Sequence, residues 1–323
     1  MDKSVLSHTS SSTVLSKGYC LIRLAKFPII ALPANSRRMK LAGLHCYQAT
    51  SIKRTIFSWG MHLAIMTGID KLLSEYVDSS LEPLLPFNFA SWLDSVCEFL
   101  GEPSANAVVI WPSKRDRGRV YVHLLGCDAK PLAFIKLSLD AYTDRLLLAE
   151  ANTLADLKAM GLEKFRIPSV LQQGSFQNHS YLSFQHIPVE AKPVNTSWDN
   201  FPAQCIQEYA GPDQFVYGEQ LRKLPWWQRF WKVTEAESAF AQEVRDLQDL
   251  PLRVRRVHGD LVPANMVSVK DQLWIFDWEE SCTHAPYMTD EIVFFLALNQ
   301  RQILSNPVFG LRALAARYLS ESS

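Results

Sequence analysis

The stretch His258-Gly259-Asp260, with Asn265 at the fifth residue after it and Asp277 twelve further on, sets an imidazole, a carboxamide and two carboxylates between short apolar runs. Those residue types suit one chemistry in particular. Moving a phosphoryl group from a magnesium-bound nucleotide to a hydroxyl needs a carboxylate where the hydroxyl arrives, to orient it and take its proton. Asp260 is the candidate. Magnesium is a hard cation that takes oxygen ligands and keeps several waters, so one carboxylate and one amide oxygen beside the phosphates are enough protein. Asp277 and Asn265 supply them. The same triplet could also be a turn, with glycine at positive φ and the aspartate bonding its own backbone. A turn has no use for the second carboxylate.

The intervening elements must bring Asn265 and Asp277 together. Residues 266–269 (Met-Val-Ser-Val) and 273–276 (Leu-Trp-Ile-Phe) flank a polar Lys270-Asp271-Gln272 turn, which reads as a hairpin of two short strands. Such a hairpin returns both residues to its open end.

The segments His-Gly-Asp-Leu-Val-Pro-Ala-Asn-Met-Val and Ile-Phe-Asp-Trp-Glu resemble the catalytic and metal-binding segments of the aminoglycoside phosphotransferase and choline kinase family, the small-molecule branch of the protein-kinase-like fold. The resemblance implies an α+β, bilobal, ATP- and Mg-dependent kinase. Its N-lobe would be a five-stranded antiparallel sheet over residues 101–187, and its C-lobe, over 188–323, mainly helical. It implies Asp260 as catalytic base, Asn265 and Asp277 as Mg2+ ligands, and His258 as support for the catalytic loop. Asp290, opening the run Glu291-Ile-Val-Phe-Phe, would brace that loop through its backbone, although an acid in a first helical turn is favourable in any protein.

The resemblance also calls for a strand lysine on the nucleotide phosphates and a helical glutamate that holds it. Lys136 is the lone lysine of a hydrophobic run beginning at Pro131, which reads as a strand. Glu150 lies near the middle of 142–160, where leucines 146, 147, 154 and 157 recur at a helical period. Without the downstream motif, both would read as solvated charges. Two more strand-like runs, 105–111 and 119–125, are joined by a loop whose only glycine is Gly118. Its cations Lys114, Arg115 and Arg117, with Arg119, could meet phosphate oxygens, but a charged hairpin tip is commonly just solvated. Runs at 167–174 and 179–188 complete the lobe, with 185–187 as the interlobe hinge. Backbone recognition of adenine there would leave no side-chain signature, so GTP is not excluded beside ATP.

Composition sets the frame. A chain of 323 residues, 48% hydrophobic, can bury a sizeable core and make two domains. A formal charge of zero gives no electrostatic argument for nucleic acid or an anionic membrane as the main partner. Six scattered cysteines without C-x-x-C spacing fit reduced thiols. Residues 1–100 form an N-terminal extension, expected to be disordered over the Ser/Thr-rich 1–17 and helical later. The run 27–33 is too short and proline-broken for a signal peptide, and no transmembrane span is expected, so the location read is cytoplasmic.

From 51 to 77, Ile52, Ile56, Trp59, Leu63, Met66 and Leu73 recur at helical steps, a stripe expected to dock on the kinase body. A second helix is expected from Phe89 to Leu100. Residues 188–257 should be mainly helical and help form the acceptor pocket, with Trp226, Trp227, Phe230 and Trp231 as core. Their helix is expected to continue through Val233, Phe240, Val244 and Leu247. The acceptor would be a small molecule with a hydroxyl: a sugar, an amino alcohol, or an aminoglycoside if Glu279, Glu280 and Glu291 face it. The alternative is a catalytically inactive kinase-like nucleotide-binding or scaffolding module, against which stand the filled catalytic positions.

Overall fold

The computed structural model describes residues 18–24, 26–47, 52–82, 84–112, 118–188, 190–194, 197, 201–233, 241–242, 245, 250–306, 308, 312 and 316. The chain divides into two compact units, Met1–Asp144 with Gln172–His186, and Arg145–Leu171 with Ile187–Ser323. The expectations for 1–17, for the loop cations 114, 115 and 117, and for Phe240, Val244 and Leu247 fall outside the described residues.

In chain order the first unit opens with β1 (Tyr19–Leu24), β2 (Phe27–Pro33), α1 (Arg37–His45), α2 (Ile52–Thr67), α3 (Asp70–Leu73), β3 (Glu75–Val77) and α4 (Phe89–Phe99). It continues through β4 (Asn106–Ile110), β5 (Arg119–Leu125) and β6 (Pro131–Ser138). Next come α5 (Ala141–Ala159), β7 (Phe165–Arg166), β8 (Val170–Phe176) and β9 (His179–Gln185). One sheet, in the order β3-β1-β2-β4-β5-β6-β9-β8, holds this unit together. Among the described residues it has eight strands where five were expected, because residues 19–77 add β1, β2 and β3 at the β4 edge beside the expected helices.

Strand alternation explains why these strands are apolar almost without a break. Leu21, Ala31, Ala107, Val109, Val122 and Ile135 face a core that includes Phe89, Trp92 and Val96 of α4. Their neighbours Ile22, Ile30, Leu32, Val108 and Ile110 face the opposite side, against Met39 and Leu44 of α1 and Met61 and Ile65 of α2. A sheet buried on both faces needs apolar residues at both phases. The run 27–33 is therefore such a strand.

α2 corrects the sequence reading. Its buried face is Met61, Ala64 and Ile65, with Phe57 packed beside them. Ile56, Trp59, Leu63 and Met66, the stripe expected to dock, are exposed, Trp59 by 77%. The helix is apolar on two faces, and the sheet covers the other one. Inside this cluster of elements, Lys40 of α1 reaches Asp70 of α3 at 2.7 Å with both side chains nearly buried.

The second unit takes α5 and β7, then β10 (Lys192–Pro193), α6 (Ala203–Ala210), β11 (Gln214–Val216), α7 (Gly218–Lys223) and α8 (Pro225–Val233). β12 (Leu252–Val257), β13 (Met266–Val269), β14 (Gln272–Ile275), β15 (Cys282–Pro286), α9 (Thr289–Leu298) and α10 (Gln300–Ser305) follow. It is more mixed than the expected helical lobe: its strands form two small sheets, β10-β13-β14-β7 and β11-β12-β15. The hairpin is present, with Lys270 and Asp271 both at positive φ in a two-residue turn between β13 and β14. Trp227 of α8 is buried with Val216, Leu221 and Val254, and Trp226 and Trp231 pack on that cluster, as core rather than as an open platform. Among the described residues no helix is long and apolar enough to cross a membrane.

Removing one partner of a buried ion pair leaves the other charge uncompensated. Lys40→Met should lower unfolding free energy by about 3 kcal/mol, and Lys40→Met with Asp70→Leu should recover most of it. Urea denaturation of the two variants checks this; a single variant as stable as the double would show the pair contributes nothing.

Candidate active site

β12 delivers the chain to His258, whose side chain is wholly buried. Gly259 follows at φ 85°, where a Cβ would collide with the main-chain carbonyl of Glu280. Only glycine fits that close approach. The loop then closes on itself. The Val262 N–H donates to the Asp260 carbonyl at 2.9 Å, and Pro263–Asn265 make one 3-10 turn that ends on buried Asn265. The Asn265 Nδ2 donates to the Asp260 carbonyl at 2.9 Å and to its Oδ2 at 3.2 Å. Base candidate and amide ligand candidate are thus tied to each other.

The same loop grips the start of the metal segment. The Phe276 N–H donates to the Asn265 carbonyl at 3.1 Å, closing the open end of the hairpin. His258 Nε2 lies 3.1 Å from the Phe276 carbonyl, and His258 Nδ1 accepts from the Asp260 N–H at 3.2 Å. An Nδ1 that accepts assigns the proton to Nε2, which donates to Phe276. Burial lowers the His258 pKa below its ordinary 6.5, against the opposing pull of Asp290, and so favours this neutral form. His258 is therefore a strut between the two motif segments.

Asp290, in the first turn of α9, is wholly buried and accepts three hydrogen bonds. Its Oδ2 takes the His258 N–H at 2.8 Å and the Tyr209 hydroxyl at 2.6 Å; its Oδ1 takes the Gly259 N–H at 2.9 Å. Burial, and then the adjacent carboxylate, push the Tyr209 pKa well above its ordinary value, so the phenol stays a donor. Beneath the loop, the Trp278 ring lies 4.4 Å from the His258 ring, 5.2 Å from Tyr209 and 6.1 Å from Phe165.

Asp277 sits in the left-handed region, φ 70° and ψ 54°, a conformation uncommon outside glycine and concentrated at functional sites. It opens the 3-10 turn Trp278–Glu280. Carboxylate oxygens of Asp277, Glu279 and Glu150 all lie within 4.8 Å of one another, and Glu150 and Glu279 are buried. Three acids at that spacing repel unless a cation or proton sits among them. An all-oxygen set of this kind fits a hard divalent cation such as Mg2+.

Of the residues expected from sequence, the structure brings His258, Asp260, Asn265 and Asp290 into one hydrogen-bonded loop, and Asp277 with Glu150 into one acidic cluster. Lys136 belongs to the first unit, buried on β6 with its Nζ 5.8 Å from the Phe184 ring centroid. Arg119, considered for phosphate contact, is buried in β5 with its guanidinium 5.5 Å from the Tyr121 ring. Each acid considered for a cationic acceptor has a charged neighbour. Glu279 joins the metal-type cluster, Glu291 accepts from Arg255, and Glu280 stands 4.0 Å from Arg229. Burial raises the Glu291 pKa, with Arg255 opposing. Sequence reasoning missed Tyr209 and the metal-type placement of Glu279. Tyr209 lies 81 residues from its partner, so no local pattern could reveal it. Glu279, two residues past Asp277, carried a proximity signal that pointed equally to the acceptor side.

No family model and no curated protein matches the chain. Among solved structures, it is similar to a GDP and kanamycin complex of APH(2'')-IIIa, at 12% identity over 69% of this chain and 86% of that one, with a TM-score of 0.37. It is also similar to a glucosamine kinase, at 10% identity over 68% of this chain and 77% of that one, with a TM-score of 0.30.

Two outcomes follow from the loop geometry. Gly259→Ala should cost at least about 2 kcal/mol, because it combines a strained φ with a main-chain collision; chemical denaturation measures it, and wild-type stability would refute the assignment. The folded pKa of His258 lies below 6.5, so the unfolded chain takes up the proton first as pH falls. The neutral form therefore supports the fold above that value, and the support is lost on acidification toward the folded pKa. Calorimetry across this range should show a flatter pH dependence of Tm for His258→Gln than for the wild type; equal slopes would count against it.

Proposed function

We propose that the chain is a Mg-nucleotide-dependent phosphotransferase acting on a hydroxyl of a small molecule. The observation that carries this reading is the joining of Asp260 to Asn265 and, through the Phe276 peptide, to the carboxylates of Asp277, Glu279 and Glu150. A base and an oxygen-rich cation site that share one hydrogen-bonded frame are what in-line transfer to a hydroxyl requires.

In this reading Asp260 accepts the acceptor's proton as the hydroxyl oxygen bonds to the γ-phosphorus. The bond from that phosphorus to the bridging oxygen breaks, leaving a phosphomonoester and a nucleoside diphosphate. Asn265, whose Nδ2 is directed at Asp260, would turn its Oδ1 to the metal, with Asp277 as the carboxylate ligand and Glu279 beside it. Bound magnesium would neutralise charge on the phosphates. Lys136 is the proposed cation for those phosphates and Glu150 the acid that would hold it. Asp290 fixes the loop backbone and His258 its junction with the metal segment, so both are positioning residues. ATP is the proposed donor, with GTP the alternative, and the cytoplasm, where both are supplied, the proposed location. Sugars, amino alcohols and aminoglycosides are the acceptor classes to test.

Asp260→Asn keeps the shape and the hydrogen bond while removing the base. It should cut turnover by about 10²–10⁴-fold with nucleotide affinity unchanged, measured on a panel of those acceptors with ATP and with GTP. Asp277→Asn tolerates the left-handed backbone and should remove the Mg2+ dependence of nucleotide binding in a thermal-shift assay. Nucleotide binding with no turnover of any acceptor would instead favour a catalytically silent module.

A further inference from the structure

The face of α2 that the core leaves uncovered is apolar along its length. Ile56, Trp59, Leu63 and Met66 recur at steps of three and four, and past the turn at Gly68 Ile69 and, in α3, Leu72 are exposed too, the latter by 85%. Between Ile56 and Met66 the stripe is roughly 15 Å long at the rise of an α-helix. Contiguous large apolar side chains in water mark an interaction site more often than a random surface.

Charge says what kind of partner fits. Residues 18–77 hold eight lysines and arginines against two acids, in a chain whose formal net charge is zero. Both acids are already matched, Asp70 by Lys40 at 2.7 Å and Glu75 by Arg23 at 3.0 Å. Six positive charges therefore remain in excess over this segment. Lys53 and Arg54 precede Ile56 in the same helix, and exposed Lys71 sits between Ile69 and Leu72. In the sequence, cations thus stand before and after the stripe, and a tryptophan lies along it.

We propose that this face of α2 and α3 is a peripheral binding surface for an anionic lipid bilayer. A helix lying in the interface plane sinks an apolar face to the depth of the acyl boundary, and flanking Lys and Arg meet the anionic headgroups. Tryptophan prefers that interfacial depth. A second copy of this chain fits less well, because its own excess of cations would meet this one across the contact. The proposal does not depend on the phosphotransfer reading.

Flotation of the full chain with vesicles of phosphatidylcholine alone and of phosphatidylcholine with phosphatidylserine tests it. Bound protein should be roughly tenfold greater on the anionic vesicles and should fall at high salt. Trp59→Glu with Leu63→Glu should reduce binding by a similar factor while Tm is unchanged, since both side chains are exposed. Lys71→Glu, a milder surface change, should weaken only the preference for phosphatidylserine. Three results would overturn it: no preference for anionic vesicles, equal binding by the double variant, or a dimer in sedimentation equilibrium that the double variant dissociates. The last would assign the face to a second copy.

Discussion

A single buried carboxylate organises the second unit. Asp290 has no exposure to water, and a charge in that position is tolerated only with its lone pairs occupied. The backbone N–H groups of His258 and Gly259 and the hydroxyl of Tyr209 occupy them. Charge-assisted bonds of this kind are short and directional, so they fix the peptide at the turn where Asp260 begins. The aromatic floor of Trp278, Tyr209 and Phe165 then holds the His258 ring in place. Asp260 stands where it does because the residue before it has almost no freedom left.

From that anchor, a few polar contacts run to the acidic cluster. His258 and Asn265 together hold both main-chain groups of Phe276, and Asp277 is the next residue. Its left-handed backbone redirects the chain so that Glu279 and Glu150 share its neighbourhood. In the proposed phosphoryl transfer, a frame held this way would present Asp260 with little reorganisation, the condition on which electrostatic stabilisation of developing charge depends. The cost is a cluster of acids that repel one another and gain from a cation.

The first unit has the opposite economy. Its sheet is covered on both faces, by α4 on one and by α1 and α2 on the other, and the strands are accordingly apolar at both phases. That demand uses one face of α2 and leaves the second, equally apolar, to water. The segment 18–77 carries an excess of six positive charges, which acids elsewhere in the chain offset. A neutral total therefore concealed an uneven distribution of charge along the chain.

Much of the local structure was legible from spacing alone. The β13-β14 hairpin, the α5 and α4 helices, the strands carrying Lys136 and His179, and the constellation of Asp260, Asn265 and Asp277 all follow from periodicity, turn residues and the chemistry of side chains a few positions apart. Other features depended on contacts between residues far apart in the chain. The hydroxyl of Tyr209 meets Asp290 across 81 residues, Glu150 meets Asp277 and Glu279 across more than a hundred, and residues 19–77 join a sheet whose other strands begin at 106. The face of α2 that is buried belongs to this second kind. A helix with two apolar faces has no local preference between them, and only the shape of the sheet it packs on decides which one leaves the water.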